Sequence, residues 1–260
     1  MLRLSANLGF LWKGLPLVEG VGRAKAAGFD AVEFHFPYEV PAATMRAAID
    51  AAGLPVVGLN TRLGNVEARD FGLAALPGRG AEARAAIDEA LAYGKAIGAG
   101  YVHVIAGKPD ESRASEARSA FLQSLDYAAK GAEAVGMTIV IEPLNRRDVP
   151  GCFLHTTDLA EAIIAELGRP NVKILFDCYN IQVSQGDLTR RLERLMPLIG
   201  HIQIAAVPSR AEPDEGEICY ERLLKSIEAM GYEGFIGAEY RARGEVEAGL
   251  SWIDAVRRAT

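Results

Sequence analysis

Four polar side chains stand at the ends of four consecutive apolar segments in the second half of the chain. The segments read "TIVIE", "VKILFD", "IGHIQ" and "FIGAE", and they end on Glu142, Asp177, Gln203 and Glu239. One such residue is usually a solvated loop residue, but four at equivalent positions indicate a shared site. Carboxylates brought together raise one another's pKa values unless a cation lies between them. Their oxygens and the amide oxygen are hard ligands, which favours Mg²⁺ or Mn²⁺ over zinc.

The elements that must position these residues alternate between short apolar strands and Ala-rich segments of helical period. Eight strand and helix units can be counted in the 260 residues, which is the number that closes a (β/α)8 barrel. The active site of such a barrel lies at the carboxyl ends of the strands. The four polar residues would end the fifth to eighth strands and would therefore be neighbours around half of the rim. We predict an α/β fold with one (β/α)8 TIM-barrel domain over residues 1–260.

Glycine and capping residues mark the predicted helix boundaries. Glycine follows five helices before the next strand, in "AAGF", "AAGL", "AIGAG", "AVGM" and "AMGY", which is typical of a left-handed C-terminal cap. Capped helix starts are predicted in "HTTDLAEA" and "QGDLTRRL".

Two features of the sequence concern the walls of the site. The segment Thr61–Arg79 is longer than an ordinary loop, and it is either a lid or an ordered surface excursion. Phe10 and Trp12 follow the first strand, where they either wall the mouth of the barrel or pack under a loop.

Composition limits the partners of the chain. A net charge of -6 argues against a nucleic-acid backbone or an anionic membrane as partner. No apolar run approaches the roughly 20 residues of a membrane span, and the N-terminus lacks the layout of a signal peptide. Three cysteines without paired spacing, at positions 152, 178 and 219, are expected to be reduced thiols. We expect a cytoplasmic protein, and the sequence leaves its oligomeric state open, with a homo-oligomer among the alternatives.

Several strings in the chain resemble the hydroxypyruvate isomerase family of the xylose-isomerase-like TIM barrels. They are "IEPLN", "RDVPG", "FDCYN", "HIQIA", "EPDEGEI" and "GAEY", with "HFPY", "GLAALPGR" and "HVIAG" upstream. The resemblance spans nearly the whole chain. It implies that Glu142, Asp177, Gln203 and Glu239 ligate one divalent metal ion, Mg²⁺ or Mn²⁺, and that Glu142 and Glu239 also move protons. Related ketose 3-epimerases usually carry His at the position of Gln203.

The resemblance implies a metal-dependent isomerase that converts hydroxypyruvate to tartronate semialdehyde through an ene-diolate. In this reaction the metal polarises the substrate carbonyl, and one glutamate removes the neighbouring C–H proton. A 2-oxo-tetronate isomerase or a ketose 3-epimerase is the competing interpretation, so the expected partner is a small hydroxy-carbonyl acid or sugar. Two remote alternatives are an apurinic endonuclease-like repair enzyme, which needs a multi-zinc cluster and a basic groove, and a sugar-binding barrel without turnover.

The chain departs from the family pattern around the predicted substrate. Asn180 replaces a His and Gln185 replaces a Glu in "DCYNIQVSQG", whereas "IAAVPSR" carries Ala206 for Asp and Ser209 for Gly. Asparagine keeps hydrogen-bonding capacity but has no titratable role. Asn180 is therefore expected to bind substrate and to change specificity, without altering metal affinity.

Arg147 is the candidate partner for a substrate carboxylate. It lies in "NRRDVPG", just beyond Glu142, where its guanidinium could form two hydrogen bonds to a carboxylate. The alternative is an ion pair within the loop to Asp148.

The four histidines have different predicted roles. His103, near the end of the fourth strand, either reaches a substrate oxygen or is a hydrogen-bonded core residue. His201 shares the orientation of Gln203 and is a candidate for orienting a ligand from below. His35 and His155 follow strand ends and are predicted to be structural.

Overall fold

Eight parallel strands close into a barrel in the computed structural model, which describes residues 2–259. Each strand pairs with its neighbours in sequence, and the first pairs with the last. The strands are β1 (Arg3–Asn7), β2 (Ala31–Glu33), β3 (Val56–Asn60), β4 (Ala99–His103), β5 (Thr138–Ile141), β6 (Val172–Asp177), β7 (Ile199–Ile204) and β8 (Phe235–Ala238). The closed barrel confirms the predicted (β/α)8 fold.

Helices surround the barrel. Within residues 2–259 they are α1 (Leu17–Ala26), α2 (Ala42–Ala52), α3 (Gly80–Ile97), α4 (Ala114–Glu133), α5 (Thr157–Leu167), α6 (Cys178–Ser184), α7 (Leu188–Leu195), α8 (Tyr220–Ala229) and α9 (Ser251–Ala259). The short helix α6 was not predicted. It starts directly at the end of β6, because the side chain of Asp177 caps it by accepting a hydrogen bond from the backbone N–H of Tyr179 at 2.9 Å. None of these helices is long and apolar enough to cross a membrane.

The predicted helix boundaries are confirmed with one exception. All five glycines that were expected to end helices have positive φ angles: Gly28, Gly53, Gly98, Gly136 and Gly231. Thr156 caps α5 by accepting a hydrogen bond from the N–H of Leu159 at 3.2 Å. The cap predicted in "QGDLTRRL" is wrong, because Asp187 has a φ of 53° and its side chain makes no capping hydrogen bond.

The barrel interior is apolar in part and polar near the carboxyl ends of the strands. A small apolar cluster of Tyr101, Val140 and Leu175 is separate from the large core that joins the barrel to the helices. The ring of Tyr101 fills the space beside Gly58, where a Cβ atom would lie 2.1 Å from it. Other strand residues are polar and buried, namely Ser5, Asn7, Glu33, His103, Asp177, His201 and Gln203.

Strand register brings the predicted ligands to one level. Asp177 on β6 is the register partner of Gln203 on β7, and the next residue of β7, Ile204, pairs with Ala238 on β8. The N–H of Glu239 then donates to the carbonyl of Ile204 at 3.2 Å. The polar residues at the carboxyl ends of these strands are therefore neighbours at one level of the barrel.

Candidate active site

Three carboxylates meet at the carboxyl ends of the strands. Glu142 follows β5, Asp177 ends β6 and Glu239 follows β8, and one oxygen of each lies within 4.8 Å of the others. All three side chains are buried. The structure thus brings together the three acids that the sequence placed on half of the rim, and we call them the carboxylate cluster.

Gln203 faces the carboxylate cluster from β7. Its Nε2 atom donates to Glu33 Oε2 at 3.1 Å and to Glu239 Oε1 at 3.5 Å. Its Oε1 atom is buried and has no hydrogen-bond partner within residues 2–259. An orphaned buried acceptor costs about 1–3 kcal/mol, which a bound cation would offset. Three carboxylate oxygens and one amide oxygen therefore fit a hard divalent cation such as Mg²⁺ or Mn²⁺.

The carboxylate cluster holds its protons unevenly. Burial, followed by the charges of Glu239 and Asp177, raises the pKa of Glu142 well above its usual value. Burial also raises the pKa of Asp177 to about 7, against the opposing charge of Arg210. Burial opposes ionisation of Glu239 as well, but the Arg210 charge and a hydrogen bond from His35 lower its pKa to about 2. The metal-free cluster therefore carries protons that a cation would displace.

Arg210 is a site residue that the sequence analysis missed. Its Nη2 atom donates to Glu239 Oε2 at 2.5 Å and lies 3.4 Å from Asp177 Oδ2. The rings of Phe10 and Tyr179 face the guanidinium carbon at 4.8 and 4.7 Å. The signal was present, because Arg210 ends the string "IAAVPSR" directly after β7.

His35 also lies in the site, contrary to its predicted structural role. Its Nε2 atom is 2.9 Å from Glu239 Oε1, and the side chain lines the cavity. The Nδ1 atom of His155 instead contacts the nearby carbonyl of Phe153 at 2.9 Å. Both histidines follow strands in the sequence, so only the packing of the loops separates the one in the site from the one outside it.

His103 lines the cavity beside Glu142. Its Nδ1 atom is 3.7 Å from Glu142 Oε2, which is too long for a hydrogen bond. Burial lowers the pKa of His103 to about 3. The imidazole is therefore neutral at pH 7, and it can exchange hydrogen bonds with a ligand without adding charge.

Asn180 lies against two of the predicted ligands. Its Nδ2 atom donates to Glu142 Oε1 at 2.8 Å and to Asp177 Oδ2 at 2.5 Å. Its Oδ1 atom accepts from the Nδ2 atom and the backbone N–H of Asn145 at 2.6 and 3.1 Å. Asn180 is buried, and it is not among the described residues that line the cavity. It therefore lies closer to the carboxylates than we expected from the sequence. Its contact with substrate stays a prediction.

The other departures from the family pattern lie outside the carboxylate cluster. Gln185 accepts hydrogen bonds from the N–H and hydroxyl of Thr157 at 2.8 and 3.1 Å, at the start of α5. The backbone of Ala206 accepts from the N–H of Arg210 and donates to the carbonyl of Ala211. Ser209 accepts from the N–H of Ala211 at 3.3 Å. These residues shape the loops that follow β6 and β7.

Arg147 contacts its own loop, as in the alternative interpretation that it forms an ion pair with Asp148. It lies 3.4 Å from Asp148 and donates to the hydroxyl of Tyr179 at 2.9 Å, and its side chain is 49% exposed. Asp148 lines the cavity, whereas Arg147 is not among its lining residues within the described chain. The binding of a substrate carboxylate by Arg147 stays a prediction, and Arg210 is the cation that reaches the carboxylate cluster.

A cavity of about 820 Å³ opens above the carboxylate cluster. Of the four predicted ligands, only Glu142 and Glu239 line it, so Asp177 and Gln203 lie beneath its floor. A ligand in the cavity can therefore touch two of the four residues directly.

Both wall features predicted from the sequence border this cavity. Phe10 and Trp12 line it, although Trp12 also packs against Phe29 and is largely buried. Within Thr61–Arg79, Phe71 lines the cavity. The later part of that segment is hydrogen-bonded to the loop after β4, because the N–H of Ala75 donates to the carbonyl of Ala106 at 2.6 Å.

Sequence comparisons agree with this geometry. A family model described as the xylose isomerase-like TIM barrel matches residues 21–256. The chain is 45% identical over 254 residues to the 2-oxo-tetronate isomerase of Cupriavidus necator, covering 97% of this chain and 98% of that protein. It is 36% identical over 258 residues to the hydroxypyruvate isomerase of Escherichia coli, covering 99% and 100%. These relatives confirm the resemblance found in the motifs.

Structural comparisons give the same barrel. A crystal structure of a protein named AP endonuclease, family 2, from Brucella melitensis superposes with a TM-score of 0.96 at 36% identity, covering 98% of this chain and 99% of that one. The D-psicose 3-epimerase of Clostridium cellulolyticum, solved with D-tagatose, superposes with a TM-score of 0.77 at 16% identity, covering 95% and 89%. The second likeness shows the fold alone.

Proposed function

The chain belongs to the xylose isomerase-like TIM barrel family, and from this premise we propose that it is a metal-dependent isomerase of short 2-oxo acids. The substrate carries a hydroxyl on C3, and the reaction moves the carbonyl from C2 to C3. Hydroxypyruvate, which would give tartronate semialdehyde, and 2-oxo-tetronate both meet this description. The observation that carries the proposal is the buried carboxylate cluster beside the unpartnered Oε1 atom of Gln203.

Glu142, Asp177, Gln203 and Glu239 would hold the cation. A divalent cation bound there supplies Lewis-acid polarisation of the substrate carbonyl. Asp177 and Gln203 lie below the cavity and serve only as ligands. Glu142 and Glu239 also line the cavity, so each can reach a substrate carbon or oxygen.

The two glutamates carry the proton transfers. One of them removes the proton from C3, which leaves an ene-diolate across C2 and C3, and a proton is returned to C2. A second proton moves from the oxygen on C3 to the oxygen on C2, so the overall reaction is an isomerisation without an external oxidant or reductant. His103, neutral and next to Glu142, can accept or donate a hydrogen bond at a substrate oxygen.

The second candidate substrate, beside hydroxypyruvate, is 2-oxo-tetronate, and the similarity to known proteins supports it. Identity is 45% with the 2-oxo-tetronate isomerase of Cupriavidus necator and 36% with the hydroxypyruvate isomerase of Escherichia coli. The cavity of about 820 Å³ has room for either acid. Asn180, in place of the family's His, lies against the predicted metal ligands Glu142 and Asp177. It therefore gives no preference between the two substrates.

An endonuclease function, as in the name of the Brucella melitensis protein, has less support. Within residues 2–259 the only group of three or more candidate metal-binding acids, cysteines and histidines is the all-acid carboxylate cluster. Zinc centres generally use nitrogen or sulfur ligands. The net charge of -6 also disfavours a nucleic-acid backbone.

The test is turnover followed by proton NMR. Hydroxypyruvate, 2-oxo-tetronate and neutral ketoses are each incubated with metal-free protein and with protein supplied with Mn²⁺ or Mg²⁺. We expect isomerisation of one or both acids that disappears on chelation and returns with metal. Full activity in demonstrably metal-free protein, or turnover of neutral ketoses alone, would contradict the proposal.

A further inference from the structure

Glu33 lies beneath the predicted metal site and ends β2. Its side chain is buried, and four groups of the barrel interior face it. Its Oε2 atom accepts from the hydroxyl of Tyr101 at 2.9 Å and from Nε2 of Gln203 at 3.1 Å, and Oε1 accepts from the hydroxyl of Ser5 at 3.3 Å. His201 Nε2 is 3.0 Å from Glu33 Oε2 but lacks hydrogen-bond geometry.

The contact between Glu33 and Gln203 determines whether the NH₂ group or the oxygen of the glutamine amide faces the carboxylate cluster. An amide has an NH₂ group that donates and an oxygen that accepts. Glu33 Oε2 already accepts from the hydroxyl of Tyr101, so an amide oxygen 3.1 Å from it would find no hydrogen to accept and would be repelled. The NH₂ group therefore faces Glu33, with Glu239 Oε1 more distant at 3.5 Å, and Oε1 faces away from Glu33.

This orientation explains the unpartnered oxygen of Gln203. Oε1 is buried and has no hydrogen-bond partner within the described residues. A neutral amide can ligate a cation only through its oxygen, so a reversed amide would present hydrogens to the cation. Gln203 Oε1 thus stays free to bind a cation, and leaving it without a partner reduces the stability of the metal-free protein.

We propose that Glu33 is a positioning residue for the metal site, which holds the amide of Gln203 so that its oxygen faces the cation. The inference rests on the proposed function, because it requires the carboxylate cluster to bind a metal ion. Tyr101 and Ser5 in turn hold Glu33. Gly237 on β8 leaves the space for this arrangement, since a Cβ atom there would lie 2.2 Å from Glu33 Oε1 and 2.8 Å from Gln203.

Two substitutions separate position from charge. Glu33→Asp keeps the charge but withdraws the acceptor from Gln203 by one methylene. Glu33→Gln removes the charge but keeps an oxygen where Oε2 lies, with its own NH₂ group directed to the hydroxyl of Ser5. The affinity for Mn²⁺ alone is measured without substrate, from the electron paramagnetic resonance signal of free Mn²⁺.

We expect Glu33→Asp to weaken Mn²⁺ binding about 10- to 100-fold, as is usual when the support of a ligand is lost, and Glu33→Gln to stay within about threefold of wild type. An electrostatic role would give the opposite order, and that result would overturn the inference. In a Gln203→Met background, Glu33→Asp should cost no further affinity, because its effect passes through Gln203. An equal loss in both backgrounds would also overturn it.

A control variant and a replacement variant complete the Mn²⁺ binding test. Tyr101→Phe is the control, because it removes a hydrogen bond to Glu33 and leaves the Gln203 contact in place, so its Mn²⁺ affinity should change less than that of Glu33→Asp. If Glu33→Asp does not fold, Glu33→Met replaces it and is compared with Glu33→Gln, which shares the loss of charge. Absence of Mn²⁺ binding in the wild type would refute the proposed function itself, whereas normal wild-type binding with unaffected Asp and Met variants would refute only the role of Glu33.

Discussion

Arg210 donates a 2.5 Å hydrogen bond to Glu239, one of the two glutamates that we expect to move protons. The same guanidinium lies 3.4 Å from Asp177 and between two aromatic rings. It therefore partly neutralises the carboxylate cluster and keeps Glu239 ionised. For Glu142, burial followed by the charges of Glu239 and Asp177 raises the pKa, and the opposing charge of Arg210 does not offset them.

Loss of either glutamate's base function should reduce turnover more than metal binding. Glu142→Gln and Glu239→Gln each keep an oxygen for the metal but cannot take a proton. A positioned general base contributes about 10² to 10⁴ in rate, so we expect losses of that size in turnover at saturating Mn²⁺. Exchange of the substrate C–H proton with deuterated solvent should fall in parallel.

Asp177→Asn is the matched control, because Asp177 lies beneath the cavity floor. It should lose activity through weaker metal binding and recover partly at high Mn²⁺. Rescue of either glutamate variant to near wild-type exchange by saturating metal would show that the residue is only a ligand.

Metal binding should release protons below about pH 7. The pKa of Asp177 is raised to about 7 in the metal-free protein, so at pH 6 this carboxyl is mostly protonated and must ionise to ligate. Affinity for Mn²⁺ is therefore expected to rise with pH through this range, and Glu142, whose pKa is also raised, adds to the protons released. Titration calorimetry in buffers of different ionisation enthalpy measures the protons released, and release should decrease in Asp177→Asn.

The same shift affects the stability of the metal-free protein. Between the ordinary pKa of an aspartate, about 3.9, and about 7, the folded state binds more protons at Asp177 than the unfolded state does. The contribution of this group to the free energy of unfolding is thus largest at low pH and declines as pH rises through that range. Urea unfolding at pH 5 and pH 7.5 should show a smaller decline in Asp177→Asn, and an equal decline would refute the assignment.

Arg147 should matter only for anionic substrates. Arg147→Ala leaves Asp148, which lines the cavity, without its nearby cation. We expect KM for a carboxylate substrate to rise roughly two- to fivefold, the range of a half-exposed ion pair, with neutral sugars unaffected. Asp148→Asn in the Arg147→Ala protein should restore KM if Arg147 acts by neutralising Asp148. If KM stays high, Arg147 binds the substrate carboxylate itself, as the sequence suggested.

Asn180 should affect the metal site, contrary to the expectation from sequence. Asn180→Ala removes the donor shared by Glu142 and Asp177, and we expect Mn²⁺ affinity to fall about tenfold. Gln185→Ala is the control, because Gln185 departs from the same family motif but its side chain hydrogen-bonds to Thr157 and Asp158 at the start of α5. Equal affinities in the two variants would show that Asn180 acts on substrate alone.

The fold could be predicted because its signals are local. Apolar strands, helical periodicity and glycine stops each lie within a few residues, and the closed barrel follows from their number. Helix α6 was missed because its start depends on Asp177, whose side chain was interpreted only as a ligand. The predicted cap at Asp187 failed because the chain there turns through a left-handed conformation.

The site could be predicted only where strand ends determine it. Glu142, Asp177, Gln203 and Glu239 stand at such ends, so barrel topology alone places them together. Arg210 and His35 reach the carboxylate cluster through loops, whose paths the apolar pattern does not encode. Glu33 ends a strand of only three residues, and its role depends on partners from three other strands.

Gly237 limits how this enzyme can be engineered. Replacing a strand glycine by alanine commonly stabilises a protein where the backbone permits it, because the unfolded chain loses freedom. Here the added methyl group would collide with Glu33, His201 and Gln203 at 2.2 to 2.8 Å. A library aimed at thermal tolerance should therefore keep this position fixed and choose glycines without a positive φ and with open space around the added methyl group, such as Gly22 in α1.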